Sequence, residues 1–265
     1  MRVYLSVDIE GVTGAQHWDE TELGKEGYAR LRDRMAQEAV TVARAALAAG
    51  AREVFVQDAH DTGRNLRPEE FPRGCRLIRG WSGDPRGMVQ ELDPSFAALL
   101  VVGWHSAAGS GGAPLCHSMS TRFTGLRLNG RPASELTLAT LAAAELGVPL
   151  ALASGDLALC EEARAWLPGL RTVPTQEGRG DSVLCQDAER VLEQLALQTA
   201  AALEDLDHAR LPELSPSYVL ELDYRSISDA RRNSYYPGME QTGPLSLRLA
   251  CPTLREVGRA LGFVG

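Results

Sequence analysis

Two acids, one residue apart, close the first apolar run of the chain. In LSVDIEGVTG, Asp8 and Glu10 follow the strand-like stretch Val3 to Val7, and Gly11 comes next. Side chains two apart in extended backbone face the same side, so these carboxylates can converge on one cation. Two further apolar runs end in similar chemistry: VFVQDAH on Asp58 and His60, and LLVVGWH on His105. Open parallel sheets bind ligands outside the carboxyl ends of their strands. If the three strands are neighbours, acids and imidazoles meet on one rim. Each residue also has an ordinary reading. An Asp after a strand is commonly a turn former or helix cap, and a lone buried His is commonly a hydrogen-bonded core residue. The coincidence at three strand ends favours a site. Carboxylate and imidazole without thiolate suit Zn²⁺ and related divalent ions. Two carboxylates and two imidazoles are enough donors for a bridged pair, with ions ~3.5–4 Å apart as in two-metal hydrolases and aminopeptidases.

Two more residues stay open on position alone. Glu135 begins a helix after an Asn-Gly turn, where an acid is favoured by the helix dipole in any case. His117, in GGAPLCHSMS, closes a glycine-rich loop over the same rim and reads as acid, base, nucleophile or bystander. His17 and His208 lie in polar stretches and are expected at the surface. GWSGD and GSGG match neither the P-loop nor G-x-G-x-x-G, and there is no G-x-S-x-G or H-E-x-x-H.

The elements that must position these residues alternate as α/β over the first 160 or so positions. Strands are expected at VYLSV, EVFVQD (53–58), CRLIRG (75–80), AALLVVGW (97–104) and PLALASGD. Long helices are expected at 28–49, 134–146 and 187–205. Continuous Val/Leu/Ile runs between helices imply a parallel sheet covered on both faces. Asn129-Gly130 marks a hairpin. After RLPELSPS (210–217), YVLELDY and LSLRLAC alternate like half-exposed strands, and a short helix is expected near 253–261. The fold class is α/β, a three-layer domain with a mainly parallel sheet (1–209) followed by a smaller C-terminal α+β segment (210–265).

A formal net charge of −8, with 27 basic against 35 acidic residues, disfavours nucleic acid and anionic membrane as partners. Five scattered cysteines without a C-x-x-C imply reduced thiols. The apolar start is too short for a signal peptide, so a soluble cytoplasmic protein is expected.

SVDIEG (6–11), DAH (58–60), GWH (103–105), HSM (117–119) and Glu135, with GD at 155–156 and PG at 237–238, occur in an order that resembles the DppA-type zinc-dependent D-aminopeptidases of peptidase family M55. The resemblance runs over most of the chain. It implies two Zn²⁺ per chain, Asp8 bridging them, further ligands at Glu10, His60, His105 and Glu135, and His117 as the catalytic residue proposed as nucleophile. It also implies a short peptide substrate with an N-terminal D-amino acid such as D-Ala, and a homo-oligomer of ring form. Ser134 stands where relatives often carry Gly, and Thr175 near a place where Lys is common; the second bears on substrate binding. The expected function is metal-dependent aminopeptidase. The rivals are an amidase or deacylase acting on a non-peptide amide, and a non-catalytic peptide-binding protein.

Overall fold

A computed structural model describes residues 1–265. In chain order the elements are β1 (Arg2–Val7), α1 (Tyr28–Ala48), β2 (Glu53–Asp58), β3 (Cys75–Ile78), β4 (Ala98–Trp104), β5 (Phe123–Leu128), β6 (Arg131–Pro132), α2 (Glu135–Ala144) and β7 (Leu150–Asp156). There follow α3 (Leu157–Trp166), β8 (Arg171–Arg179), β9 (Ser182–Cys185), α4 (Ala188–Glu204), β10 (Tyr218–Tyr224), α5 (Ile227–Asn233), β11 (Glu240–Gln241), β12 (Ser246–Cys251) and α6 (Leu254–Val264).

The main sheet runs β3-β2-β1-β4-β7-β8-β9, and every pair in it is parallel except β8 with β9. β1 lies between β2 and β4, so the three strand ends singled out by their chemistry are adjacent. Both faces of this sheet are covered, which is why its strands read as unbroken apolar runs. Val3, Leu5 and Val7 of β1 pack with Leu31, Met35, Val42 and Ala46 of α1, and Leu195 of α4 joins them. Tyr4 and β4 residues Leu99 and Val101 point the other way, into a core shared with α2, α6 and a second sheet.

That second sheet runs β11-β12-β10-β5-β6. β10 and β12 bury every other residue, the pattern of strands with one face in water. β10 pairs antiparallel with β5, Leu220 opposite Leu128, so the C-terminal segment shares its sheet with residues 123–132. The β5–β6 hairpin turns on Asn129 (φ 52°) and Gly130 (φ 76°), both left-handed, as a two-residue primed turn requires.

Five elements, the two-residue β11 among them, go beyond the sequence reading. α3 starts with no intervening loop, because Asp156 both ends β7 and caps the helix by accepting the Leu159 N–H at 2.9 Å. β8 carries Pro174 and Gly178, residues depleted in strands. Pro174 is tolerated because β9 begins to pair only at Gln176. β9 and the seven-residue α5 are too short for periodicity to show. No helix is long and apolar enough to cross a membrane.

Candidate metal centre

The chain leaving β1 is pressed flat against the end of β4. Asp8 N–H donates to Val102 O (2.9 Å) and Gly11 N–H to Gly103 O (2.8 Å). A Cβ on Gly11 would lie 1.7 Å from Trp104 O, and one on Gly155 of β7 would lie 1.8 Å from the same oxygen. Only glycine allows this approach, and it carries Asp8 and Glu10 beside His105.

The rings of three histidines are each tied by one nitrogen to a backbone carbonyl. His60 Nε2–H donates to Thr21 O (2.9 Å), His105 Nδ1–H to Ser106 O (3.0 Å) and His117 Nδ1–H to Leu115 O (2.9 Å). In that tautomer the opposite nitrogen of each ring is a free base facing the cluster, the usual arrangement behind metal-ligating imidazoles. His60 Nδ1 lies 3.2 Å from Asp8 Oδ1 and 3.0 Å from Glu10 Oε2. His105 Nε2 lies 3.5 Å from Asp8 Oδ2 and 3.2 Å from Glu135 Oε2. His117 Nε2 is 3.5 Å from Glu135 Oε1, which also accepts the Met119 N–H at 2.6 Å. The two oxygens of Asp8 therefore face two halves of one cluster. Donor atoms of Asp8, Glu10 and His105 all lie within 4.8 Å of one another, as do those of His105, His117 and Glu135.

The cluster is buried, and only His117 keeps partial exposure. Burial, then the Glu10 charge, holds Asp8 well above the usual carboxylate range. Burial pushes Glu10 and Glu135 upward too, but His60 beside the first and His105 beside the second bring both below it. For His60 and His105 burial works downward and is outweighed by Glu10 and Glu135 respectively, so both imidazoles end well above their ordinary value. His117 is lowered, by burial first and the charge on His105 second. Its ring stacks on His105 (centroids 4.1 Å, planes 10° apart) and makes a T-shaped contact with Trp18 (centroids 5.3 Å).

These residues fit a metal. Glu10 Oε2 and His105 Nε2 are buried without a hydrogen-bond partner. Three carboxylates buried together are costly without cations to offset them. Imidazole and carboxylate donors, with no cysteine among them, suit a divalent ion of the zinc type.

Asp58 does not join the cluster. Its carboxylate accepts N–H groups from Asn65 (2.5 Å) and Leu66 (2.7 Å) and the Asn65 side-chain amide (2.9 Å), which folds the loop carrying His60. Asp156 plays the same part for His105, its Oδ2 accepting the Ser106 N–H at 2.7 Å. Thr175, expected to bear on substrate, is fully buried with its hydroxyl 2.6 Å from Gly11 O and 2.9 Å from Gly155 O. It supports the glycine contact instead. Ser134 caps α2 through the Thr137 N–H at 3.2 Å. His17 and His208 are exposed. Trp18 is a site neighbour that no sequence signal marked, since it sits in a short 3-10 helix within a polar stretch.

The sequence model of peptidase family M55, described as D-aminopeptidase, matches residues 1–263. The chain belongs to the D-aminopeptidase family. A D-aminopeptidase of Bacillus subtilis (strain 168) is 30% identical over 265 residues, covering 98% of this chain and 95% of that protein. Among solved structures, the Zn-dependent D-aminopeptidase DppA from B. subtilis, a self-compartmentalizing protease, superposes with a TM-score of 0.92 at 29% identity. That match covers 98% of this chain and 95% of the other.

Proposed function

We propose that this family member is a dinuclear zinc aminopeptidase that removes an N-terminal D-residue such as D-Ala from short peptides. Asp8, Glu10, His60, His105 and Glu135 would hold the ions, with Glu10 and His60 on one side of Asp8 and His105 and Glu135 on the other. The observation that carries this is the division of Asp8, with Oδ1 toward His60 and Oδ2 toward His105. When bound, such a pair supplies Lewis-acid polarisation of the scissile carbonyl. The protein's own part is proton transfer. His117 is fixed by its Leu115 bond so that Nε2 is the basic nitrogen, and its lowered pKa keeps it neutral near pH 7. It accepts a proton from the attacking water and delivers it to the leaving amine. The T-shaped Trp18 contact and the stacked His105 ring hold the ring in one orientation.

A homo-oligomer of ring form that encloses the sites belongs to the same reading, supported by the self-compartmentalizing relative. Five free cysteines agree with a cytoplasmic setting.

The test uses D-Ala-D-Ala, L-Ala-L-Ala and N-acetyl-D-Ala-D-Ala with the zinc-loaded protein. Only the first is expected to be cleaved, with activity abolished by chelator and restored by zinc. Cleavage of the acetylated peptide would favour the amidase or deacylase reading, and cleavage of none the binding protein.

Metal uptake should also depend on pH in a defined sense. His60 and His105 are raised above 6.5 in the metal-free cluster, so protons compete with the metal for the same nitrogens. Zinc affinity should therefore fall as pH falls, beginning above the ordinary imidazole range of ~6.5. Calorimetry in buffers of different ionisation enthalpy should show proton release on zinc binding at pH 7; release of none would contradict imidazole ligation.

A further inference from the structure

The metal centre opens into one cleft of about 960 Å³. One wall is α2, from Glu135 at the metal end through Leu138 and Ala142 to Glu145. A ten-residue helix at ~1.5 Å per residue makes this wall about 15 Å long. The opposite wall is α6 against the loop around Pro85. A Cβ on Gly258 would lie 1.8 Å from Pro85 O, so helix and loop touch backbone to backbone. Gly262, four residues on and on the same face, has open space beside it.

Charge along the cleft is lopsided. Seven acidic residues line it against three arginines. Arg86 forks onto Asp84 (2.7 Å) and Arg259 pairs with Glu256 (3.0 Å). Arg255, exposed in the first turn of α6, makes no ion pair or hydrogen bond. Glu145, the acid at this end of α2, is engaged by the Leu254 N–H, and burial raises its pKa. Away from the metal centre, Arg255 is thus the one free cation that an incoming anion meets.

We propose that Arg255 binds the C-terminal carboxylate of the peptide substrate. The α2 wall then acts as a ruler: at ~3.3–3.6 Å per extended residue, 15 Å limits substrates to about two to four residues. Leu138, Ala142 and Leu254 between the two ends suit small apolar side chains. This inference rests on the aminopeptidase reading and assigns that site its substrate class: short peptides with a free acid terminus.

The experiment compares D-Ala-D-Ala with its C-terminal amide on the wild-type protein and on Arg255→Gln and Arg255→Lys. The wild type should prefer the free acid by ~10–100-fold in kcat/KM, the scale of one charge-assisted hydrogen bond, with the preference in KM. Arg255→Gln should abolish the preference while leaving hydrolysis of the amide within twofold, and Arg255→Lys should restore part of it. Matching melting temperatures show that the variants fold. Equal use of acid and amide by the wild type, or a preference that survives in Arg255→Gln, overturns the proposal. In both results the amide is still cleaved, so the aminopeptidase reading stands. Failure of the wild type on both peptides sinks that reading and this inference with it, whereas loss of amide hydrolysis in Arg255→Gln beside an active wild type overturns this inference alone.

Discussion

Asp8→Ala is expected to take zinc from about two equivalents to near none and to abolish peptide hydrolysis. Each oxygen of this carboxylate faces a different imidazole, Oδ1 toward His60 at 3.2 Å and Oδ2 toward His105 at 3.5 Å, so its loss opens both halves together. Glu135→Ala is the contrast. Glu135 touches only the His105 and His117 side, and its loss should leave the half formed by Asp8, Glu10 and His60 with at least one ion. Lewis-acid polarisation is worth several kcal/mol. At ~1.4 kcal/mol per tenfold in rate, the Asp8 variant should lose at least ~10³-fold in kcat. Elemental analysis and turnover on one preparation give both quantities. Melting provides the control. Burial and the Glu10 charge hold the Asp8 carboxyl above its usual range in the metal-free protein. Zinc should raise the melting point of the wild type and not that of the variant. Two equivalents retained by Asp8→Ala would rule out a bridging role.

His117→Ala is expected to keep its zinc and lose ~10²–10⁴-fold in kcat, the range for a placed proton-transfer group. Three outcomes are separable. A ring that only fills space between Trp18 and His105 would cost a few-fold. A proton carrier costs the larger factor at constant metal content. The third outcome is loss of zinc, and the structure makes it a serious competitor, since the free Nε2 of His117 shares a 4.8 Å neighbourhood with His105 and Glu135. Zinc content measured beside turnover decides among them. Retained zinc with turnover within about fivefold of wild type would remove His117 from the mechanism.

The acids and imidazoles at the ends of β1, β2 and β4 were legible because chemistry at a strand terminus follows from local pattern. Asp8, Glu10, His60 and His105 each sit at or just past such an end. Their supports were not. Asp58 is the same residue type at the same kind of place as Asp8, yet its carboxylate turns to Asn65 and Leu66, because the loop folds back within reach. Only the three-dimensional path of 58–66 distinguishes the two. Thr175 is 164 positions from Gly11, and no local feature links a threonine on β8 to a glycine after β1. In the C-terminal layer, alternation revealed the strands but not the partner, since Leu220 pairs with Leu128 across a long stretch of chain. α3 was hidden because a residue that ends a strand also begins a helix.

The wall formed by α6 has a consequence for biosynthesis. The acids and histidines of the metal centre all lie between residues 8 and 135, whereas α6 spans Leu254–Val264. A ribosome working from the N-terminus therefore delivers these acids and histidines by about the midpoint of the chain and the opposite wall of the cleft near its end. A nascent chain could gather the residues of the candidate metal centre while the cleft beside them still lacks one side. A chain that stalls before α6 would carry Asp8, Glu10, His60, His105 and Glu135 without the helix bearing Arg255.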